Sequence, residues 1–198
     1  TFSGTLDIQR QINLDYEEDI RKYAEGLDQT RIVSVYKNVP AQLAKENKKF
    51  QYKGIKQGGR ASEFENAIEW LCLAGIASQN YRLEQIMLPL NAYRSLSDFK
   101  FYMNDVGLCG ASQDIYYYED ILGDNPLFEN FTGGLTENYA FNQLKCNGHT
   151  LYYWTSGSQA EVDFISRIGD ARRSRIRNNR YIFTGKYFSN KSVNRLTF

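Results

Sequence analysis

The sequence has few of the residues that define several protein classes. It contains three cysteines, three prolines and one histidine among 198 residues. Three widely spaced cysteines without a CxxC pair cannot build a complete disulfide framework, which indicates a reducing compartment and a cytoplasmic protein. The low proline content excludes collagen-like and proline-rich disordered chains. No apolar run approaches the roughly 18 residues needed to cross a bilayer, so no membrane partner is expected.

Motifs for metal and nucleotide binding are also missing. Cys146 and His149 lie close together, but a structural zinc site takes four such ligands and the sequence offers no second pair. No GxxxxGK[ST] loop occurs, so nothing supplies the lysine and backbone amides that hold a triphosphate. The chain by itself is therefore not expected to hydrolyse ATP.

The charges that are present are unevenly placed. The net charge is +1, but residues 167–198 contain nine basic residues and one acidic residue, a net charge of +8 that leaves −7 for residues 1–166. A basic tail of this kind can attract nucleic-acid phosphates or bind to its own acidic body. The sequence leaves both possibilities open.

Helical spacing dominates the start of the chain. Apolar residues recur every three to four positions from Leu6 to Tyr23, which predicts an amphipathic helix ending at Gly26. A second segment covers residues 32–36. Pro40 is expected to open a short third helix, because proline in a first helical turn loses no needed hydrogen bond.

A longer helix is predicted from Arg60 to Gly75, with Ser62 and Glu65 as a capping box. Extended segments at residues 76–78 and 87–90 follow it. This order has the outline of a winged helix, whose last helix enters a DNA groove. The spacing predicts an inward stripe, and three nearby cations are candidate phosphate ligands; the stripe is Phe64, Ile68 and Trp70 or Leu71, and the cations are Lys53, Lys56 and Arg60.

The remainder of the chain is expected to contain helices and a hairpin. Ser97 is predicted to cap a helix that ends at Gly107. Residues 136–144 are predicted to form a second helix. Residues 151–154 and 161–165 read as strands. We therefore expect an α/β protein (α+β mixed) with a winged-helix-like region at residues 1–110, a linker at 111–132 and a small α/β domain at 133–198.

Three stretches together resemble the C-terminal region, known as DUF4143, of prokaryotic AAA-type ATPases. The first is VPAQLAKENKKF at residues 39–50 with RASEFENAIEWL at 60–71. The second is FKFYMNDVGL at residues 99–108, and the third is LYYWTSGSQAEVDF at 151–164. The resemblance runs from about Leu14 to Ile165. It implies a winged-helix-like region followed by a restriction-endonuclease-like domain of the PD-(D/E)XK type, with an ATPase domain ahead of both.

The same resemblance implies a candidate catalytic site. Asp163 would be the strand aspartate of a Mg²⁺-dependent nuclease, and Glu137 a further metal ligand. The Glu-x-Lys segment that should follow is absent after Ile165, through divergence or through a change of reading frame. Without it we expect no catalysis and no cofactor other than a possible Mg²⁺ at Asp163. Asp163 is then expected to pair with an arginine of the tail at the end of a strand, and Glu137 to be a solvated or capping residue.

Three functions are weighed on these grounds. The preferred one is an accessory module of an AAA-type ATPase that binds DNA, with the ATPase domain in the same or an adjacent chain. Its phosphate contacts would include the tail residues Arg172, Arg173 and Arg175. A protein–protein interaction module is the alternative, with an aromatic surface at Tyr116, Tyr117, Tyr118 and Phe128. A Mg²⁺-dependent nuclease is the third.

Overall fold

A computed structural model of the chain describes residues 2–24, 26, 28–45, 48–113, 129–156, 160–168 and 180–184. These residues form an α/β fold of the mixed α+β kind, which confirms the expected fold class. The helices are α1 (Phe2–Tyr23), α2 (Asp28–Leu43), α3 (Ala61–Leu73), α4 (Val106–Ala111) and α5 (Glu129–Cys146). The strands are β1 (Ala77–Leu83), β2 (Arg94–Met103), β3 (Tyr152–Thr155), β4 (Glu161–Ile168) and β5 (Arg180–Thr184).

The five strands form one mixed sheet in the order β2-β1-β3-β4-β5. Strand β1 runs parallel to β3, and β3, β4 and β5 are antiparallel to their neighbours. The amide of Glu84 donates to the carbonyl of Tyr93 over 2.8 Å, and the amide of Asn104 to Ile76 over 3.0 Å. These two bonds make β1 and β2 an antiparallel hairpin.

A β-bulge interrupts the pairing of β3 with β4. Tyr152 lies opposite Ile165 and Trp154 opposite Val162, so two steps along β3 correspond to three along β4. The extra residue of β4 falls at Asp163 or its neighbour Phe164. A bulge locally changes the direction of side chains, so the residues of β4 on its two sides do not follow simple alternation between the two faces of the sheet.

The chain folds as two compact units, each made of two separate stretches. Unit 1 contains residues 1–79 and 101–139, and unit 2 contains residues 80–100 and 140–198. Part of the linker expected at residues 111–132 is helical: residue 111 is the last residue of α4, and residues 129–132 belong to α5. Its residues 114–128 lie outside the described part of the chain.

Two helix predictions are wrong. Pro40 does not open a third helix but lies inside α2, where it is buried. The helix expected between Ser97 and Gly107 is mostly the strand β2, which begins at Arg94. The last five residues of β2 are buried, and a stretch buried on both faces has no alternation that would distinguish it from a helix.

The long helix predicted from Arg60 to Gly75 is confirmed as α3. Its cap differs from the prediction, because the Glu63 carboxylate accepts a hydrogen bond from the Arg60 amide over 3.3 Å, in place of the expected pair Ser62 and Glu65. Gly75 has a φ of 71°, which glycine adopts without strain at a helix end. The buried stripe includes Phe64, Ile68 and Leu71, whereas Trp70 is only half-buried.

The polarity of α1 is the reverse of the expected one. Its buried positions include Asn13, Glu17 and Ile20, of which the first two are polar. The apolar side chains of Ile8 and Tyr23 are 63% and 65% exposed. The sequence spacing correctly predicts a helix, but most of its apolar residues face outward.

Candidate functional site

The three cations predicted to bind phosphate lie on one short segment in front of α3. Lys53, Lys56 and Arg60 are all exposed. Lys53 belongs to a 3₁₀ turn at Tyr52–Gly54, and Arg60 directly precedes α3. Lys56 also forms a surface ion pair with Glu63 over 3.7 Å, a contact that contributes little in water. We call residues 51–60 the basic segment.

The basic segment is held in place by α2 and α3. Asn38 Nδ2 donates to the Gly54 carbonyl over 3.0 Å, and the Gln51 amide donates to Gln42 Oε1 over 2.7 Å. The ring of Tyr52 stacks on that of Phe64, with centroids 6.3 Å apart. These contacts fix the backbone that carries the three cations.

The exposed face of α3 is acidic. Glu65 and Glu69 are exposed on it, and the helix has no lysine or arginine. A helix inserted into a DNA groove approaches phosphates on both sides, so two uncompensated carboxylates oppose insertion. Helix α3 therefore lacks the positive charge expected of a helix that enters a DNA groove.

Glu137 is not the solvated or capping residue expected from the sequence. Its side chain is 8% exposed, and Lys48 Nζ lies 2.6 Å from its Oε2. The hydroxyl of Tyr102 donates to its other oxygen. All three residues belong to unit 1. The cation and the hydroxyl use both carboxylate oxygens, so Glu137 is fully engaged within its own unit.

Asp163 lies inside β4, not at a strand end, and pairs with a lysine of β2. The side chains of Arg172, Arg173 and Arg175 lie outside the described part of the chain, so the expected pairing with a tail arginine stays a prediction. Lys100 Nζ is 3.0 Å from Asp163 Oδ1 and 2.6 Å from Glu161 Oε1. The Lys100 side chain is only 2% exposed, whereas Asp163 and Glu161 are 22% and 35% exposed. Lys100 Nζ also lies 5.1 Å from the ring centroid of Tyr153. We call Lys100, Glu161 and Asp163 the Lys100 cluster; all three belong to unit 2.

Strand register explains how these side chains meet. Arg82 on β1 is paired with Asp98 on β2 through a 2.8 Å contact, and it lies opposite Tyr153 on β3. Because side chains alternate along a strand, Lys100 then shares the face of Asp98. The bulge in β4 lies opposite Tyr153. One face of the sheet therefore gathers charged residues from three strands.

Two polar atoms beside the Lys100 cluster have no hydrogen-bond partner in the described part of the chain. They are Asn80 Oδ1 and the Tyr153 hydroxyl, on side chains that are 0% and 2% exposed. Asn80 Nδ2 donates to the Asp163 backbone carbonyl over 3.3 Å. Burial raises the pKa of Tyr153 to about 12, although the nearby Lys100 ammonium acts in the opposite direction. Unpaired buried oxygens are costly, and such groups often mark a site for water or an ion.

The Mg²⁺ that the resemblance implies at Asp163 does not fit the residues as they stand. Lys100 Nζ contacts the oxygens of Asp163 and Glu161 that would ligate it. Among the described residues, no group of three or more His, Cys, Asp or Glu side chains is arranged to hold a metal ion. Glu137 and Asp163 each have a lysine partner within their own unit.

The sequence does not indicate the lysines that pair with Asp163 and Glu137. The sequence predicts a helix around Lys100, although the run Phe99–Met103 is rich in the aromatic residues that favour strands. Nothing in the sequence near Glu137 points to Lys48, which lies 89 positions earlier. The remaining predicted residues lie outside the described part of the chain; they are Arg172, Arg173, Arg175, Tyr116, Tyr117, Tyr118 and Phe128.

Comparison with known proteins identifies one family. A family model described as "Domain of unknown function (DUF8612)" matches residues 2–117, more than half of the chain. Neither the curated proteins nor the solved structures gave a significant match. Within the described residues, no helix combines the length and apolar character needed to span a membrane.

Proposed function

The chain belongs to the family described as DUF8612, and we propose that it is a non-catalytic accessory module of an AAA-type ATPase that binds nucleic-acid phosphates. The observation that carries the proposal is the basic segment. It presents Lys53, Lys56 and Arg60 from a backbone fixed by α2 and α3. Preorganised cations lose little conformational freedom when they meet a phosphate backbone.

The mode of binding follows from the charge of α3. Glu65 and Glu69 occupy its exposed face, so contacts are expected from the basic segment in front of the helix and not from the helix in a groove. Phosphate contacts position a protein on a duplex but carry no direct sequence information. We therefore expect weak sequence preference and strong dependence on ionic strength.

The association with an ATPase is supported by the sequence resemblance over residues 14–165. The chain has no phosphate-binding loop of its own, so ATP hydrolysis belongs to another domain or chain in this proposal. Nuclease activity is not proposed, because the Lys100 ammonium occupies the carboxylates that would hold Mg²⁺.

A salt titration tests the basic segment. Binding of a fluorescent 20-base-pair duplex is measured by anisotropy at increasing NaCl for the parent chain and for Lys53→Gln/Lys56→Gln/Arg60→Gln. Each phosphate contact contributes about 0.9 to the slope of log K against log salt. The triple variant should bind more weakly, with the slope reduced by up to about 2.7.

A matched control separates a local site from net charge. Lys22→Gln/Lys45→Gln/Lys145→Gln removes the same charge from three exposed positions elsewhere. It should leave the slope close to that of the parent. Equal losses of affinity and salt slope in the two triple variants would contradict a binding site at the basic segment. They would mean that overall charge alone causes the binding.

A second candidate function is a protein–protein interaction module, and the reversed polarity of α1 favours it. Four apolar side chains at helical spacing are exposed on one face of α1: Ile8, Ile12, Tyr16 and Tyr23. Aromatic and aliphatic side chains of this kind are favoured at the centres of protein interfaces. The expected partner is the ATPase body, in the same or an adjacent chain.

The two candidates respond differently to salt. Binding to the proposed ATPase partner should change little between 0.1 and 0.5 M NaCl if α1 forms the interface, because apolar contacts are not screened. Ile12→Glu should abolish that binding. Leu73→Glu, at an apolar position on α3 that is 82% exposed, is the control and should bind normally. Normal binding by Ile12→Glu would remove α1 from consideration.

A further inference from the structure

We propose that a cavity in unit 1 binds a small aromatic carboxylate, with the ring inside the cavity and the carboxylate at Lys37. The cavity has a volume of about 260 Å³ and is lined by residues of α1, α2, the end of β2 and α4. All of its described lining residues belong to unit 1. This inference goes beyond both proposed functions, because it requires neither nucleic acid nor a protein partner.

Burial divides the cavity into a closed end and an open end. Asn13, Tyr36 and Met103 form the closed end, with exposed fractions of 7%, 3% and 1%. Lys37 and Arg10 line the open end, with side chains that are 59% and 34% exposed. A ligand in the cavity therefore has buried groups around its inner part and two cations near its outer part. Buried walls with a few charged groups at one side are typical of small-molecule sites.

The closed end suits an aromatic ring. The Tyr36 hydroxyl donates to Asn13 Oδ1, and Asn13 Nδ2 donates to the Leu108 carbonyl over 3.0 Å. Because these polar groups already have partners, an apolar ring can contact them without breaking a hydrogen bond. Methionine sulfur and tyrosine rings, here from Met103 and Tyr36, also make favourable contacts with aromatic rings. An apolar cavity of about 150 Å³ holds benzene, so this cavity has room for a ring and a short chain.

The charges at the open end favour an anion. Among the described residues that line the cavity, Glu17 is the one acid, and Lys37 and Arg21 pair with it over 3.0 Å and 3.2 Å. These two cations balance Glu17, and Arg10 adds a further positive charge to the lining. A lysine ammonium has three N–H donors, so Lys37 can bind Glu17 and a ligand carboxylate at the same time. The buried Glu17 thereby holds the ammonium at the opening.

The experiment titrates 3-phenylpropanoate into the full chain labelled with ¹³C at the methionine methyl groups. The chain has two methionines. Met103 lines the cavity, whereas Met87 is 51% exposed in unit 2 and serves as an internal reference. The Met103 methyl signal should shift and saturate, and the Met87 signal should stay in place. A ligand of about 11 non-hydrogen atoms is expected to bind with a dissociation constant on the order of 1 mM.

A neutral probe and three lysine variants test recognition of the carboxylate. The parent should bind 3-phenylpropanamide, which has the same shape without the charge, about threefold to fivefold more weakly, in the range of exposed ion pairs. Lys37→Gln should weaken binding of the acid by the same factor and leave binding of the amide unchanged. Lys37→Arg, which keeps the charge, should bind the acid as the parent does. Lys22→Gln is the matched control, because it removes an exposed lysine outside the cavity.

Three results would overturn the proposal. The first is the absence of a saturable Met103 shift in the folded parent. The second is an equal shift of Met87 and Met103, since it would mean that the ligand has no single site. The third is equal affinity of the parent for the acid and the amide, or unchanged binding of the acid by Lys37→Gln, since the carboxylate would then not be recognised. Circular dichroism and the Met103 signal without ligand show that each variant is folded.

Discussion

Single residues owe their properties to partners distant in the chain. Lys100 and Asp163 are 63 positions apart, and Lys48 and Glu137 are 89 apart. Removing one member of a buried pair leaves an uncompensated charge and costs about 3–5 kcal/mol, although the pair itself adds little net stability. Lys48 and Lys100 are therefore partners, distant in sequence, of the two acids that the sequence singles out.

Cys109 makes stability depend on alkaline pH. It is fully buried on α4, and burial raises the pKa of its thiol from the ordinary 9.0 to about 12, with a further increase from Asp105. In the unfolded chain the thiol ionises near pH 9, whereas in the folded chain it stays protonated until about pH 12. The free energy of unfolding should therefore fall between these values, by up to about 1.4 kcal/mol per pH unit.

Urea unfolding at pH 9 and pH 10 measures this effect, because buried tyrosines contribute only above their ordinary pKa of 10.0. Cys109→Ala should show a smaller loss than the parent over that interval. Cys146→Ala, which removes an exposed thiol, should behave as the parent does. Identical pH slopes in the parent and Cys109→Ala would contradict the assignment.

At the scale of elements, close backbone contacts decide how helices pack. Gly134 in α5 lies against the Leu43 carbonyl at the end of α2, and a Cβ built at this glycine would overlap the carbonyl oxygen. The neighbouring Gly133 has open space around its Cβ position. Both glycines lie inside α5, where glycine normally weakens a helix. Only Gly134 has a structural reason to be there.

Replacing these two glycines should have opposite effects. Gly134→Ala should lower the free energy of unfolding by about 1–3 kcal/mol or more, because α2 and α5 must move apart. Gly133→Ala should raise it by up to about 1 kcal/mol through higher helix propensity. Denaturant unfolding of both variants measures the difference. Equal effects would mean that α5 does not approach Leu43 closely.

For the whole molecule, the uneven charge is the main property. Residues 167–198 carry +8 and residues 1–166 carry −7, although the total is only +1. Long-range fields of this kind govern association with polyanions and respond to salt. Whether the tail adds to phosphate binding or neutralises the acidic body determines how the chain meets nucleic acid.

Substitution of the tail arginines distinguishes these roles. Arg172→Ser/Arg173→Ser/Arg175→Ser should reduce the salt slope of duplex binding by up to about 2.7 if each arginine contacts a phosphate. The measurement is the same anisotropy titration, and the scattered lysine variant again controls for net charge. An unchanged affinity and slope would favour a tail bound to the acidic body.

Features that depend on local pattern can be predicted from the residues alone. The α/β class, the boundaries of α3 and the strands at 151–154 and 161–165 follow from residue spacing, caps and alternation, which act over a few residues. The remaining features depend on long-range packing. It made residues 97–103 part of a strand. The sequence does not predict this strand, because residues 99–103 are buried on both faces and show no alternation. Packing also turned the apolar residues of α1 outward, since its polar Asn13 bonds the Leu108 carbonyl inside the fold. The candidate site could not be predicted because Lys100 meets Glu161 and Asp163 only when the sheet brings its strands together.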